Sequence, residues 1–156
     1  MMYEYTVYWI RDEIANHYFH KSDILYRFLK DYQLNSHRLD LQKQFIYITN
    51  KFVKDIMISH IEKQLERKES TEINVNGTYM EIKSKRHFIM LRISDRQLIF
   101  HSHSLQDAEE LLFPLLRQIQ PFLFVVGNTI NNYGLIGRDR LLSHHHISYA
   151  VFCLKK

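Results

Sequence analysis

Histidine is the residue that first suggests chemistry in this chain, with ten in 156 residues. A neutral imidazole ligates metals, and two of them a helical turn apart, or two residues apart on a strand, can share one ion. His17 and His20 stand at the first spacing, His101 and His103 at the second, and Glu13 or His60 could supply a third donor. No glutamate accompanies them in the pattern used by zinc hydrolases. Such spacings arise by chance in a His-rich chain, so the sequence assigns no metal site. The run His144 to His146 reads as a solvated turn.

Carboxylates offer no acid–base pair either. Glu109 and Glu110 are adjacent and point apart, while Glu62 and Glu66 share a helix face that Lys63 and Arg67 solvate. The four glycines, at 77, 127, 134 and 137, make no phosphate-binding loop, and neither GxSxG nor a paired cysteine motif occurs. The lone Cys153 reads as a small apolar filler and fits a reducing, cytoplasmic setting. The residues thus predict neither an enzyme nor a cofactor.

Composition predicts a single globular domain, with 46% apolar and 24% charged residues. No secretory leader is expected at Met1 to Ile10, and the longest strongly apolar run, Phe122 to Val126, is too short to span a bilayer. A net charge of +4 permits nucleic-acid contact without arguing for it. The clearest basic cluster, Lys83-Ser84-Lys85-Arg86, lies between two strand-like runs and reads as a solvated turn. The alternative reading is a small nucleic-acid-binding protein that uses this hairpin.

The elements that would position any site follow from periodicity. "YEYTVYWI", Tyr3 to Ile10, alternates with apolar residues on both faces, as an interior strand does. Asp12 should cap a helix reaching about Phe19, and Ser22 a second helix with Ile24, Leu25, Phe28, Leu29 and Tyr32 on one face. Ser36 opens a short third turn through Gln42, and "QFIYIT", Gln44 to Thr49, reads as a second strand. Asn50 should cap a long helix whose stripe runs through Phe52, Ile56 and Lys63, thickened by Val53, Met57, Ile61 and Leu65.

A meander of four strands follows. Its first hairpin turns on Asn76-Gly77, both expected at positive φ, and its second pair joins around Ser94-Asp95. Ser104 caps the next helix, which Pro114 should kink or break. Phe122 to Asn128 and the residues after Tyr133 are late strands. The expected class is α/β of the α+β kind: one domain, with a mixed, mostly antiparallel sheet flanked by helices.

The aromatic stretch Glu13 to Tyr32 holds Tyr18, Phe19, Tyr26, Phe28 and Tyr32. On the first helix Ile14 and Tyr18 share one face, Ala15 and Phe19 the neighbouring one. Pattern alone puts both pairs in the core. The alternative leaves one pair outward, and tyrosine, a flat apolar body with a polar tip, suits an interface.

Here the residues resemble a known family. "YTVYWIRDEIANHYF", Tyr5 to Phe19, is similar to the N-terminus of SirA (YneE), the sporulation inhibitor of replication. Asp31-Tyr32, "KQFIYIT" from Lys43 to Thr49 and "NNYGLI" follow in the family's order. The resemblance covers about Tyr3 to Arg140, which suggests a domain over 1–142 and a tail over 143–156 on which the family is silent.

The resemblance implies a non-enzymatic, cytoplasmic regulator of spore-forming bacteria. Such a protein is a monomer that forms a heterodimer with the N-terminal domain of the replication initiator DnaA. It needs no cofactor, metal, membrane or direct nucleic-acid contact. The implied contact residues are Ile14, Tyr18 and Gln44. Tyr18 and Gln44 match the family's pattern, whereas Ile14 stands where an aromatic is expected, keeping apolar burial but losing ring stacking. The resemblance also turns Ile14 and Tyr18 toward solvent.

Overall fold

The structure, a computed structural model, describes residues 1–119 and 122–137. The suggested boundary near residue 142, the three consecutive histidines and Cys153 lie outside the described residues.

Strand β1 (Tyr3–Trp9) leads into four helices, α1 (Asp12–His17), α2 (Ser22–Leu34), α3 (Leu39–Ile48) and α4 (Lys54–Glu66). The meander β2 (Glu72–Asn76), β3 (Tyr79–Lys83), β4 (Phe88–Ile93) and β5 (Leu98–Ser102) comes next. Helices α5 (Leu105–Leu111) and α6 (Phe113–Ile119) and strands β6 (Phe122–Gly127) and β7 (Tyr133–Gly137) complete the fold. All thirteen pack as one α+β domain around a sheet of seven strands in the order β2-β3-β4-β5-β1-β6-β7, every neighbouring pair antiparallel.

The apolar alternation of β1 has the expected cause. The strand lies between β5 and β6, and Tyr5, Thr6, Val7 and Tyr8 are all buried. Tyr5 stacks on Phe100, whose ring meets Phe113 of α6 edge-on. Tyr8 points to the opposite face, where Phe45 of α3 meets it edge-on and Gln33 of α2 donates to its hydroxyl at 2.8 Å. The sheet is therefore the middle of three layers, with helical cover on both faces.

Burial, offset in part by the hydrogen bond from Gln33, pushes the Tyr8 hydroxyl up to about 12 from its ordinary value of 10.0. The folded value lies above the unfolded one. This contribution to stability is therefore complete below pH ~10 and disappears as pH rises through about 12. Between about pH 9 and about pH 11.5 wild type should lose roughly 2 kcal/mol more than Tyr8→Phe. Urea unfolding of both proteins at about pH 9 and about pH 11.5 measures the difference.

Several local expectations hold. The Ser104 hydroxyl accepts from the Asp107 amide at 3.1 Å and caps α5. The segment breaks at Leu112, where α5 ends, and Pro114 sits in the first turn of α6, where its missing N–H costs nothing. The β2–β3 connection is a two-residue turn, but its central residues are Gly77 and Thr78, since Asn76 pairs with Tyr79. Of Asn76 and Gly77 only Gly77 has positive φ, at 65°, and Asn76 remains part of the strand.

Other expectations fail. Gln44 to Thr49 is not a strand: Leu39 to Ile48 form one helix, and only Thr49 makes an isolated antiparallel bridge, to Ile10. Leu41, Phe45 and Ile48 are buried at helical spacing against the sheet, and this burial overrides the strand preference of the Phe-Ile-Tyr-Ile run. The first residues of α1, α2 and α4 follow Arg11, Lys21 and Val53, none of which makes a side-chain cap bond. Asp12 and Ser22 are the first residues of their helices, and Asn50 instead donates its amide to the carbonyl of Trp9 at 2.8 Å. On α4 the inward stripe is Met57, Ile58, Ile61 and Leu65, while Val53 and Ile56 face out.

Candidate functional site

Where β1 ends, the backbone ties α1 to α3. The Arg11 amide donates to the carbonyl of Ile48 at 2.9 Å, and the same turn carries the Ile10–Thr49 bridge and the Asn50–Trp9 hydrogen bond. Arg96, from the β4–β5 turn, holds the other side of this junction. One of its terminal nitrogens donates to the carbonyl of Thr49 at 2.8 Å and to the Thr49 hydroxyl at 3.1 Å, satisfying groups beyond the last turn of α3.

This junction sets the site. Helix α1 is only six residues long, and Tyr18 is its C-cap, not an interior residue. The Tyr18 amide still donates to the carbonyl of Ile14 at 3.0 Å, so the two side chains share a face. Ala15, on the neighbouring face, is fully buried and anchors the helix. Ile14 and Tyr18 are half-buried, resting on the core with their outer sides uncovered.

Opposite them stands the face of α3 that carries Gln44, Tyr47 and Ile48. Together with Ile24, Leu25 and Phe28 of α2 these residues enclose an open pocket of about 150 Å³. Gln44 is exposed, Tyr47 is 58% exposed and Ile24 is 44% exposed. Arg11 places its guanidinium 5.3 Å from the centre of the Tyr47 ring and steadies it. Residues 14, 18 and 44, on two different helices, therefore line one pocket.

The chemistry of the pocket is that of contact. Its lining has two phenols, one amide and five apolar side chains, with no carboxylate, imidazole, thiol or amine. Such a lining carries no charged group, and it can bury an apolar side chain and orient it with hydrogen bonds. Tyr47, Ile24 and Phe28 were not among the implied contact residues. Tyr47 becomes a neighbour of Gln44 only once residues 39–48 are read as a helix, where positions 44, 47 and 48 share a face.

The remaining sequence candidates do not line the pocket. His101 faces Glu4 at 3.2 Å, and the His103 ring meets the carbonyl of Met1 at 2.8 Å. His17 and His20 sit edge-on to Tyr18 and Phe19. Among the described residues no group of three His, Cys, Asp or Glu could hold a metal ion. Ser84 to Arg86 occupy the β3–β4 turn at the end of the sheet where β1 begins, whereas α1 leaves from the other end. No helix among the described residues is long and apolar enough to cross a membrane.

Comparison with known proteins points the same way as the sequence resemblance. Residues 3–137 match the family described as sporulation inhibitor of replication protein SirA. The sporulation inhibitor of replication protein SirA of Bacillus subtilis (strain 168) is 25% identical over 144 residues, spanning 83% of this chain and 90% of that relative. With the family covering all of the sheet and both helical layers, the chain belongs to the SirA family of sporulation inhibitors of replication.

Proposed function

We propose that the protein blocks replication initiation during sporulation by occupying a surface of the N-terminal domain of the initiator DnaA. It acts in the cytoplasm as a non-catalytic regulator, one copy to one partner domain. Family membership supports the process, and the observation that carries the mode of action is the pocket that joins Ile14, Tyr18 and Gln44. An uncharged, half-open pocket rimmed by phenols and an amide takes up an apolar side chain of another protein. Tyr18 supplies the flat anchor, Ile14 the aliphatic wall and Gln44 an amide that fixes orientation.

An interface of standard size covers roughly 1,200–2,000 Å² in total. Covering that much of the initiator domain excludes whatever otherwise assembles there, and no chemistry is required. Titration calorimetry of the protein against the isolated N-terminal domain of the cognate initiator is expected to show one-to-one binding with co-elution on gel filtration. The absence of both heat and co-elution at about tens of micromolar overturns the reading.

A further inference from the structure

Helix α3 has a second side. Gln42, Phe45 and Ile46 point away from the pocket and form one wall of a separate groove of about 800 Å³. The other walls come from the start of α4, the end of β4 and the β4–β5 turn. They bring Lys51, Lys54, Arg92 and Arg96 around a single carboxylate, Asp95.

That carboxylate is already engaged. Lys54 lies 2.9 Å from it and, with help from Lys51 and Arg96, holds it below the usual carboxylate range. Arg96 is occupied in part at the end of α3. Lys51 and Arg92 are exposed, and among the described residues neither has a carboxylate within ion-pair distance. The groove therefore carries uncompensated positive charge.

We propose that this groove receives an acidic strip of the same protein partner that seats on the Ile14–Tyr18–Gln44 pocket, so that the partner straddles α3. The inference rests on the proposed function. Three observations favour it. Ile46 and Tyr47, 50% and 58% exposed, flank Lys43 on the crest of α3 between the two depressions, and a protein surface buries such apolar side chains where a phosphate backbone gains nothing from them. The aromatic rings of the groove are already used: Tyr32 and Phe45 stack on each other at 4.0 Å, and Phe45 is buried, so no splayed pair of rings awaits nucleobases. A pocket of about 150 Å³ is also too small to supply a standard interface alone, and α3 makes the groove continuous with it. Charge complementarity sets the partner's chemistry there: aspartates and glutamates.

Three proteins distinguish the outcomes: wild type, Tyr18→Ala and the double variant Lys51→Glu/Arg92→Glu. Each is titrated with the isolated N-terminal domain of the cognate initiator from about 50 to about 300 mM salt. Wild-type affinity is expected to fall with salt. The double variant is expected to bind at least about tenfold more weakly at low salt and to show a flatter salt dependence. Lys51→Gln/Arg92→Gln, which adds no repulsion and besides charge removes only the stacking of Arg92 over the Tyr79 ring at 5.1 Å, should fall between them. Binding by the double variant equal to wild type, with Tyr18→Ala still inactive, overturns the groove and leaves the pocket standing. No binding by wild type overturns both. If wild type instead binds a bare labelled DNA duplex of about 20 base pairs, and the double variant loses it, the groove belongs to nucleic acid and the proposal is wrong.

Discussion

Tyr18→Ala is expected to weaken binding of the initiator's N-terminal domain by about 30-fold or more, on the order of 2 kcal/mol. The size follows from where the residue sits. Its ring closes one wall of the pocket, and the residue is partly exposed. Truncation removes that wall and leaves the partner's apolar group against water. The backbone need not follow, because the Tyr18 amide bonds to Ile14 whatever the side chain, and the buried Ala15 keeps α1 on the core. Calorimetry with the variant, alongside its circular dichroism spectrum and melting temperature, checks the result. A variant that melts like wild type and binds like wild type removes Tyr18 from the interface. Collapse of the fold would show that the ring serves the core instead.

The largest loss of stability is expected from Gly127→Ala. This glycine ends β6, and a methyl group there would lie 1.9 Å from the Asn132 side-chain oxygen and 2.3 Å from the carbonyl oxygen of Ile130. Neither can yield cheaply. Asn132 is buried, and its main-chain carbonyl accepts the Gly127 amide at 2.7 Å; opening the turn breaks that bond. The Gly127 carbonyl also accepts the Lys30 ammonium at 2.8 Å, one of the ties that hold α2 to the sheet. Overpacking costs about 1–3 kcal/mol, and the disturbed hydrogen bonds place this variant at the upper end. A drop of about 3 kcal/mol lowers the melting temperature of a chain this size by roughly 6–12 °C. Calorimetric melting of wild type and Gly127→Ala measures it, and a shift below about 2 °C would show that the turn has room.

What could be read beforehand divides by the range of the forces involved. The buried strand β1, the four-stranded meander, the Ser104 cap and the break at Pro114 follow from local alternation, turn residues and one missing N–H. Helix α3 does not. Its Phe45-Ile46-Tyr47-Ile48 run is intrinsically strand-like, and it is helical because Phe45 fills the space between Tyr8 of the sheet and Tyr32 of α2, contacts that no window of sequence contains. Residues 14, 18 and 44 were reached through the family resemblance, with periodicity supplying only the shared face of the first two. The basic groove was invisible for a related reason: Lys51, Lys54, Arg92 and Arg96 come from two distant segments that meet only when the β4–β5 turn folds against the start of α4.

The main-chain bond from Arg11 to Ile48 carries a thermodynamic consequence. It fastens α1 and α3, and with them two walls of the pocket, to the end of β1, so the pocket has its shape before any partner arrives. Association then requires little rearrangement of this protein, and the entropy lost on complex formation falls mainly on rigid-body motion and a few rim side chains. A surface built this way needs no induced folding before it is occupied.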